Sequence, residues 1–263
     1  MNYDFKDLNK TTSAPMDKSI ESLTFNGVNI ESEIPEFLTV NVDGRDGYTR
    51  KLNTVDSRID GDYFLSSKLD KNTITVKYFL LANDTEGFNR AFTRLKYLLQ
   101  GEEKEFYFAD EPEFSRIGTV TKLENADPGS LSVQGTIEIT CSDPYRHGQT
   151  KVVSGSNVVY INDPQLLYDQ NVDTITAQIG STTNQVVMTI GNDWNMTLNG
   201  SFQVGSTLVL DINNRTLTSN GNSVLNTIDI TKTNIFEAKI VKGVQVRCSQ
   251  ATEITVKYRV KLL

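Results

Sequence analysis

Apolar and polar residues alternate in many short stretches of the chain, and this pattern predicts a protein built mainly of β-strands. Between Ile254 and Leu262 every second residue is apolar, and Thr, Lys or Arg fills the positions between. Segment 73–82 alternates in the same way. Further strands are predicted at 23–30, 36–42, 48–56, 105–109, 116–124 and 131–141, then at 151–160, 173–180, 185–190, 207–212, 223–230, 235–241 and 244–249. Many short strands separated by Asn, Gly and Asp turns favour sandwiches or barrels.

One segment, 83–101, has the period of a helix instead. Asn83 can cap it, and Glu86 three residues later resembles the second half of a capping box. An apolar stripe then recurs at helical spacing and faces either the protein's own sheet or a partner. The stripe consists of Phe88, Phe92, Leu95 and Leu99. Gly101 is a natural stop.

Composition and charge divide the chain into two parts. Residues 1–150 carry 17 Lys and Arg against 25 Asp and Glu, and they hold 17 of the 23 aromatic residues. The remainder carries 9 basic against 8 acidic residues. The segment "SDPYRHGQTK" (142–151) between them is polar and turn-forming. We therefore predict an N-terminal domain over 1–146 and a C-terminal domain over 147–263.

The same composition excludes several classes of protein. The net charge of −7 argues against nucleic-acid recognition, which needs a basic surface. No apolar run approaches the ~18 residues of a membrane span, so membrane insertion is not expected. The first residues carry acids and are not followed by the apolar core of a signal peptide, which predicts synthesis in a cytoplasm without export by that route.

Cys141 and His147 lie six positions apart in "TIEITCSDPYRHG" (136–148), which raises the question of a metal or nucleophile site. The alternation of its strand places Cys141 on the buried face, and the same reasoning applies to Cys248. His147 is the only histidine of the chain, so zinc lacks a ligand set. We expect two core thiols, with His147 in the connection between the domains.

Acidic clusters give no better catalytic candidate. The segment "NVDGRDGY" (41–48) places Arg45 where a calcium loop needs an oxygen ligand. Paired carboxylates such as Glu103 and Glu105 lie at a strand edge and are expected to be solvated rather than to form a glycosidase pair. We therefore predict no catalytic residue, no metal site and no cofactor, and expect that the protein is not an enzyme.

Carbohydrate binding is a separate possibility for the second half. Sugar sites in β-sandwiches use exposed aromatic rings, and Trp194 in the turn-like "GNDWNMTLNG" (191–200) is the obvious candidate. A packing role for the same ring is the alternative. A carbohydrate-binding adhesion module that contacts the bacterial cell wall through Trp194 is thus the second hypothesis.

The order of several motifs resembles the distal tail proteins of long-tailed bacteriophages. In the first half these are "SLTFNGVNI" (22–30), the Asp- and Gly-rich run that leads into 73–82, the helix, "EFYFADEPEF" (105–114) and "GTIEITCSDPYRHG" (135–148). In the second half the run from Leu210 to Gly221 resembles the C-terminal domain of that family. The resemblance covers nearly the whole chain.

This resemblance implies a structural protein of the virion tail tip, synthesised in the cytoplasm of the host bacterium. It implies a homohexameric ring of N-terminal domains with a long hairpin, and galectin-like C-terminal β-sandwiches that project outward. Partners would be the tail tube, the end of the tape-measure protein, the tail-tip hub and receptor-binding proteins. A tail-like bacteriocin particle would contain the same module.

Contacts between subunits are expected along a hairpin over roughly 36–64 and along the helix, where Asp, Arg, Gly and aromatic residues are concentrated. The interface candidates are Asp43, Arg45, Asp46, Tyr48 and Arg58.

Overall fold

The computed structural model describes residues 18–125, 129–231 and 237–263. The chain divides into two compact units, Met1–Pro144 and Tyr145–Leu263. This division lies close to the predicted boundary after residue 146. The ring-forming role of the first domain and the galectin-like character of the second stay predictions.

The described residues of the first unit form nine strands and two helices. Its strands are β1 (Leu23–Phe25), β2 (Val28–Asn29), β3 (Phe37–Asp43), β4 (Arg50–Asp56), β5 (Asp62–Leu69), β6 (Asn72–Leu81), β7 (Lys104–Phe108), β8 (Arg116–Leu123) and β9 (Ser132–Cys141), and its helices are α1 (Ile30–Glu33) and α2 (Thr85–Leu98). Seven strands form one sheet in the order β2-β1-β7-β8-β9-β6-β3. The two others, β4 and β5, pair only with each other among the described strands.

Helix α2 covers one face of this sheet with the predicted stripe. Phe88, Phe92 and Leu95 are buried in one cluster with the inward-facing residues of β6 and β9. The cap differs from the prediction by one residue, because the Asp84 side chain accepts the hydrogen bond from the Gly87 amide at 2.6 Å. The stripe therefore packs on the protein's own sheet.

The second unit is a β-sandwich. Its strands are β10 (Arg146–Gly155), β11 (Val158–Ile161), β12 (Gln170–Asn171), β13 (Thr174–Ile179), β14 (Thr183–Ile190), β15 (Trp194–Phe202), β16 (Thr207–Asp211), β17 (Thr216–Ser219), β18 (Asn222–Ser223), β19 (Lys239–Ile240), β20 (Val244–Cys248) and β21 (Ala251–Leu262). One sheet has the order β10-β21-β13-β16-β17-β18 and another the order β11-β20-β14-β15. A single apolar cluster draws residues from both sheets, as in a sandwich whose inner faces pack together.

The mainly β fold is confirmed, but several local predictions are wrong. The strand expected at 23–30 is a tight hairpin that runs into α1, and 151–160 is two strands separated by a turn. Segment 223–230 contains a 3-10 turn, Leu225–Thr227, instead of a continuous strand. Residues 235 and 236 of the strand predicted at 235–241 lie outside the described part of the chain.

The expected linker around His147 is also wrong. Strand β10 begins at Arg146, directly after the turn, and pairs with β21 at the C-terminal end of the chain. His147 is buried in this strand opposite Lys261. The polar composition of 142–151 suggested a connection, but pairing with β21 draws it into the sheet of the second unit.

Candidate functional site

An exposed hairpin is the most unusual surface of the first unit. Strands β4 and β5 are joined by a turn at 57–61, and every residue of the two strands before Leu69 is exposed. We call residues 48–69 the hairpin arm. A two-stranded hairpin without a further layer is marginally stable in water by itself, so the arm needs support from other surfaces.

The arm carries large apolar side chains that do not enter the core of its unit. They are 50–76% exposed: Tyr48, Leu52, Val55, Ile59, Tyr63, Phe64 and Leu65. Tyr63 and Phe64 are consecutive in an extended strand and therefore project from opposite faces of the arm. Concentrated exposed apolar side chains of this kind mark an interaction surface.

Two like-charged pairs lie directly across the arm from each other. Lys51 is opposite Lys68 near the base, and Asp56 is opposite Asp62 next to the turn. Like charges in directly opposite positions destabilise a strand pair. The arm thus presents a cationic pair at its base and an anionic pair at its tip, and both pairs would be relieved by counter-charges from another surface.

The base of the arm is fixed to the sheet through Arg45. Its guanidinium donates to both carboxylate oxygens of Asp110, at 2.8 and 2.9 Å, and to Glu21. It also lies over the Phe108 ring, 5.0 Å from the centroid, and its side chain is only 14% exposed. Arg45 is therefore an internal anchor, which the sequence prediction of an interface contact did not include.

The pKa values of Glu21 and Arg45 are both raised, but for different reasons. Burial raises the pKa of Glu21 more than the nearby Arg45 charge lowers it. At Arg45 itself, burial favours the neutral form, but the hydrogen bond and charge of Asp110 together with Glu21 raise the guanidinium pKa. The cation is therefore retained, held by two acids of which one is partly desolvated.

Gly44 completes the base of the arm. Its φ of +87° is in the left-handed region, and a Cβ at this position would lie 2.6 Å from the Thr73 carbonyl oxygen. The Asn72 side chain donates to the Gly44 carbonyl at 2.9 Å. Glycine is thus required where the chain turns from β3 towards the arm.

The other predicted interface residues are accessible. Asp46, Tyr48 and Arg58 are exposed on or beside the arm. Asp43 forms a 2.7 Å ion pair with Lys77, and hydrogen bonds from Lys77 and Asn41 lower the Asp43 pKa.

Sequence reasoning missed Tyr63, Phe64 and Leu65, although the apolar run in "DYFLSS" (62–67) signalled a strand without a polar face.

Trp194 does not provide the sugar platform that the sequence suggested. It begins strand β15, its side chain is 5% exposed, and it packs in the core of the second unit. A ring buried to this degree presents no face for a sugar to stack on. Carbohydrate binding by the second unit would need another aromatic residue.

The two cysteines have the environment of core thiols. Cys141 and Cys248 are buried in the clusters of different units. Burial raises the pKa of the Cys141 thiol to about 11 and that of Cys248 to about 12. Both are therefore protonated at neutral pH, whereas a nucleophilic cysteine acts as a thiolate.

Within 18–125, 129–231 and 237–263, His, Cys, Asp and Glu do not cluster in a group of three that would hold a metal ion. The helices in these ranges are too short and too polar to cross a membrane.

Comparison with protein families assigns the first unit. Residues 25–141 match the family described as "Phage tail protein RIFT-related domain". The match spans most of the seven-stranded sheet, helix α2 and the hairpin arm. Over these residues the chain is similar to that family of phage tail proteins, and no curated protein sequence matches the chain.

Solved structures extend the likeness to the whole fold. The crystal structure of the Dit (gp 19.1) protein of phage SPP1, described as a paradigm of the hub adsorption apparatus in phages infecting Gram-positive bacteria, is similar with a TM-score of 0.78. It is 16% identical, and the alignment covers 93% of this chain and 100% of the SPP1 protein. The fold of the chain is that of a distal tail protein, so the resemblance noted in the sequence is confirmed.

A chain of the phage P2 baseplate, in its activated conformation with Ca, is a more distant match. It is 8% identical, with 85% of this chain and 90% of the baseplate chain covered and a TM-score of 0.49. At this TM-score we base no conclusion on it.

Proposed function

We propose that the chain is a structural, non-enzymatic protein of the phage tail tip, and that the hairpin arm joins successive copies of it into a ring. The observation that carries the proposal is the arm itself, with its exposed apolar residues and its unbalanced charge pairs. The match of residues 25–141 to a phage tail domain supports a location in a phage tail.

A second copy of the chain is the partner that the charges favour. Carboxylates from another surface would neutralise the Lys51 and Lys68 pair. A second copy can supply them, because residues 1–150 carry eight more acidic than basic residues. An arm that reaches from each copy to the next makes a head-to-tail contact, and such contacts either close into a ring or continue as a filament. We propose closure at six copies, which is the number that the resemblance to distal tail proteins implies.

The ring would lie at the tail tip of a virion, or of a tail-like bacteriocin, and would be assembled from chains made in the cytoplasm of the host. It would connect the tail tube and the end of the tape-measure protein to the tail-tip hub and to receptor-binding proteins. These neighbours follow from the resemblance rather than from particular residues of this chain.

The arm is tested by removing its apolar side chains. In a Leu52→Ser, Tyr63→Ser, Phe64→Ser triple variant, the three positions are exposed within the chain, so we expect unchanged unfolding but loss of self-association in sedimentation velocity. The matched control is Val152→Ser, Val204→Ser, Ile230→Ser, which removes three exposed apolar side chains of the second unit. Equal association of both variants and the parent would overturn the role of the arm.

A further inference from the structure

The second unit has a polar groove on the outer face of its four-stranded sheet. The groove lies where β14 and β20 meet residues 191–192 and 241–243, and its volume is about 580 Å³. Its lining includes Thr189, Asn192, Lys242, Gln245 and Arg247. It is open along the surface, which suits an extended ligand better than an enclosed small molecule.

An exposed aromatic ring stands beside this groove. Tyr160 on β11 is directly opposite Gln245 on β20, so the two side chains project from the same face of the sheet. On the next row Arg247 is opposite Thr189. Tyr160 is 58% exposed, while Val159 and Val246, which face the other way, are buried in the sandwich. The outer face therefore combines an accessible ring with amide, hydroxyl and guanidinium groups.

The charge of the groove is positive. Lys242 and Arg247 are its charged lining residues, and no carboxylate is among them. Within the described ranges neither cation forms an ion pair, and Arg247 instead donates from Nε to the Gln245 Oε1 atom at 3.1 Å. That hydrogen bond orients the guanidinium in the groove, where no carboxylate of the described residues forms an ion pair with it.

We propose that this groove binds an acidic saccharide, with Tyr160 stacked against the apolar face of one sugar ring. Arg247, assisted by Lys242, would hold the carboxylate or phosphate group of the saccharide, because a guanidinium offers paired donors that match either anion. Gln245, Thr189 and Asn192 would hydrogen-bond sugar hydroxyls. This inference does not rest on ring formation by the first unit.

The test is calorimetric titration of the full chain with three defined probes. Trigalacturonate supplies carboxylates, a short poly(glycerol phosphate) bearing glucose supplies phosphates, and maltotriose is the neutral control. We expect millimolar or tighter binding of at least one acidic probe, weakened by added salt because the ion pairs are exposed. The acidic probe that binds more tightly identifies the anion that the groove prefers.

Variants then assign the binding to the groove. Arg247→Ala and Tyr160→Ala should each weaken the binding by about tenfold or more, since each removes a charge-assisted contact or the stacking surface. Tyr160→Phe, which keeps the ring, should retain most of it. Lys257→Ala removes an exposed cation from the other sheet and should have no effect.

Three results would overturn the proposal. They are no binding of either acidic probe at millimolar concentration, binding of maltotriose as tight as that of the acidic probes, or unchanged binding in both alanine variants. The oligomeric mass of the same samples reports separately on the ring, so failure of one proposal is distinguishable from failure of the other.

Discussion

Arg45 shows how a single residue sets the direction of a whole element. Its contacts with Asp110, Glu21 and the Phe108 ring join the loop before the arm to the sheet. Without this anchor the arm would be attached mainly through the Gly44–Asn72 hydrogen bond and the backbone pairing of Thr49 with Asp70. In the proposed ring, this side chain would act on assembly through the position of the arm.

Replacing Arg45 should therefore destabilise the first unit. Arg45→Ala leaves two acids, one of them partly desolvated, without their cation, and we expect a loss of about 1–3 kcal/mol in the free energy of unfolding. Chemical denaturation measures this loss. Arg58→Ala, at an exposed position of the turn, should change stability by less than about 0.5 kcal/mol. Equal midpoints for the two variants would contradict an anchoring role for Arg45.

Asp163 is a second residue whose environment has a measurable consequence. Its carboxylate accepts hydrogen bonds from Lys151 at 2.6 Å and from the Tyr258 hydroxyl at 3.1 Å. Burial works against the charged form, but these bonds, the Gln165 amide and the Lys151 charge together hold the Asp163 pKa below its usual value of 3.8.

Since the folded-state pKa is depressed, Asp163 stabilises the second unit above its unfolded pKa. That contribution is lost as the pH falls through the folded value, below 3.8. Asp163→Asn should lower stability at neutral pH, and the difference from the parent should shrink in acid. Denaturation midpoints from pH 7 down to pH 3 measure this trend. A difference that is constant over this range would show that the charge of Asp163 is not what stabilises the unit.

The hairpin arm contains two like-charged pairs that destabilise the pairing of its own strands. Lys51 and Lys68 repel each other within one chain, so an arm that served only its own fold would gain from a change of sign at either position. The same holds for Asp56 and Asp62. The ring proposal explains both pairs, because each pair would form contacts with opposite charges on a neighbouring copy.

Lys51→Glu separates these two roles. It replaces a like-charged pair by an opposite-charged one, so the free energy of unfolding should stay the same or rise by up to ~1 kcal/mol. Self-association should weaken, because in the proposed ring the variant would remove a cation that faces the acidic surface of the next copy. Sedimentation velocity and denaturation measure the two effects, with Lys239→Glu in the second unit as the control. Stronger association of Lys51→Glu than of the parent would contradict the proposed contact.

Elements with regular alternation could be predicted from the sequence, and elements with turn-like composition could not. Strand β21 agrees with its pattern because its apolar side chains face a core. Strand β15 was missed, since the exposed Asn195 and Asn199 and the half-buried Gly200 are residue types typical of turns. A hairpin was predicted over roughly 36–64, but β3 pairs with β6 and the exposed hairpin is the arm at 48–69. No local pattern shows that the apolar side chains of the arm stay outside the core.

At the scale of the whole molecule, the unequal composition of the two halves corresponds to two units of different architecture. The first is a sheet with a helix and an exposed arm, and the second is a sandwich with a groove on its outer face. The residues of the groove come from separate strands and loops, so their meeting depends on strand register and could not be predicted from local sequence. The turn-like segment around Trp194 predicts an exposed ring, but the ring is buried and cannot serve as a platform.

The solution mass of the purified chain, measured by light scattering over a concentration series, tests ring formation most directly. We predict a species of six times the chain mass of 29.4 kDa that gains population as concentration rises. A mass of 29.4 kDa at every concentration would contradict self-assembly through the arm.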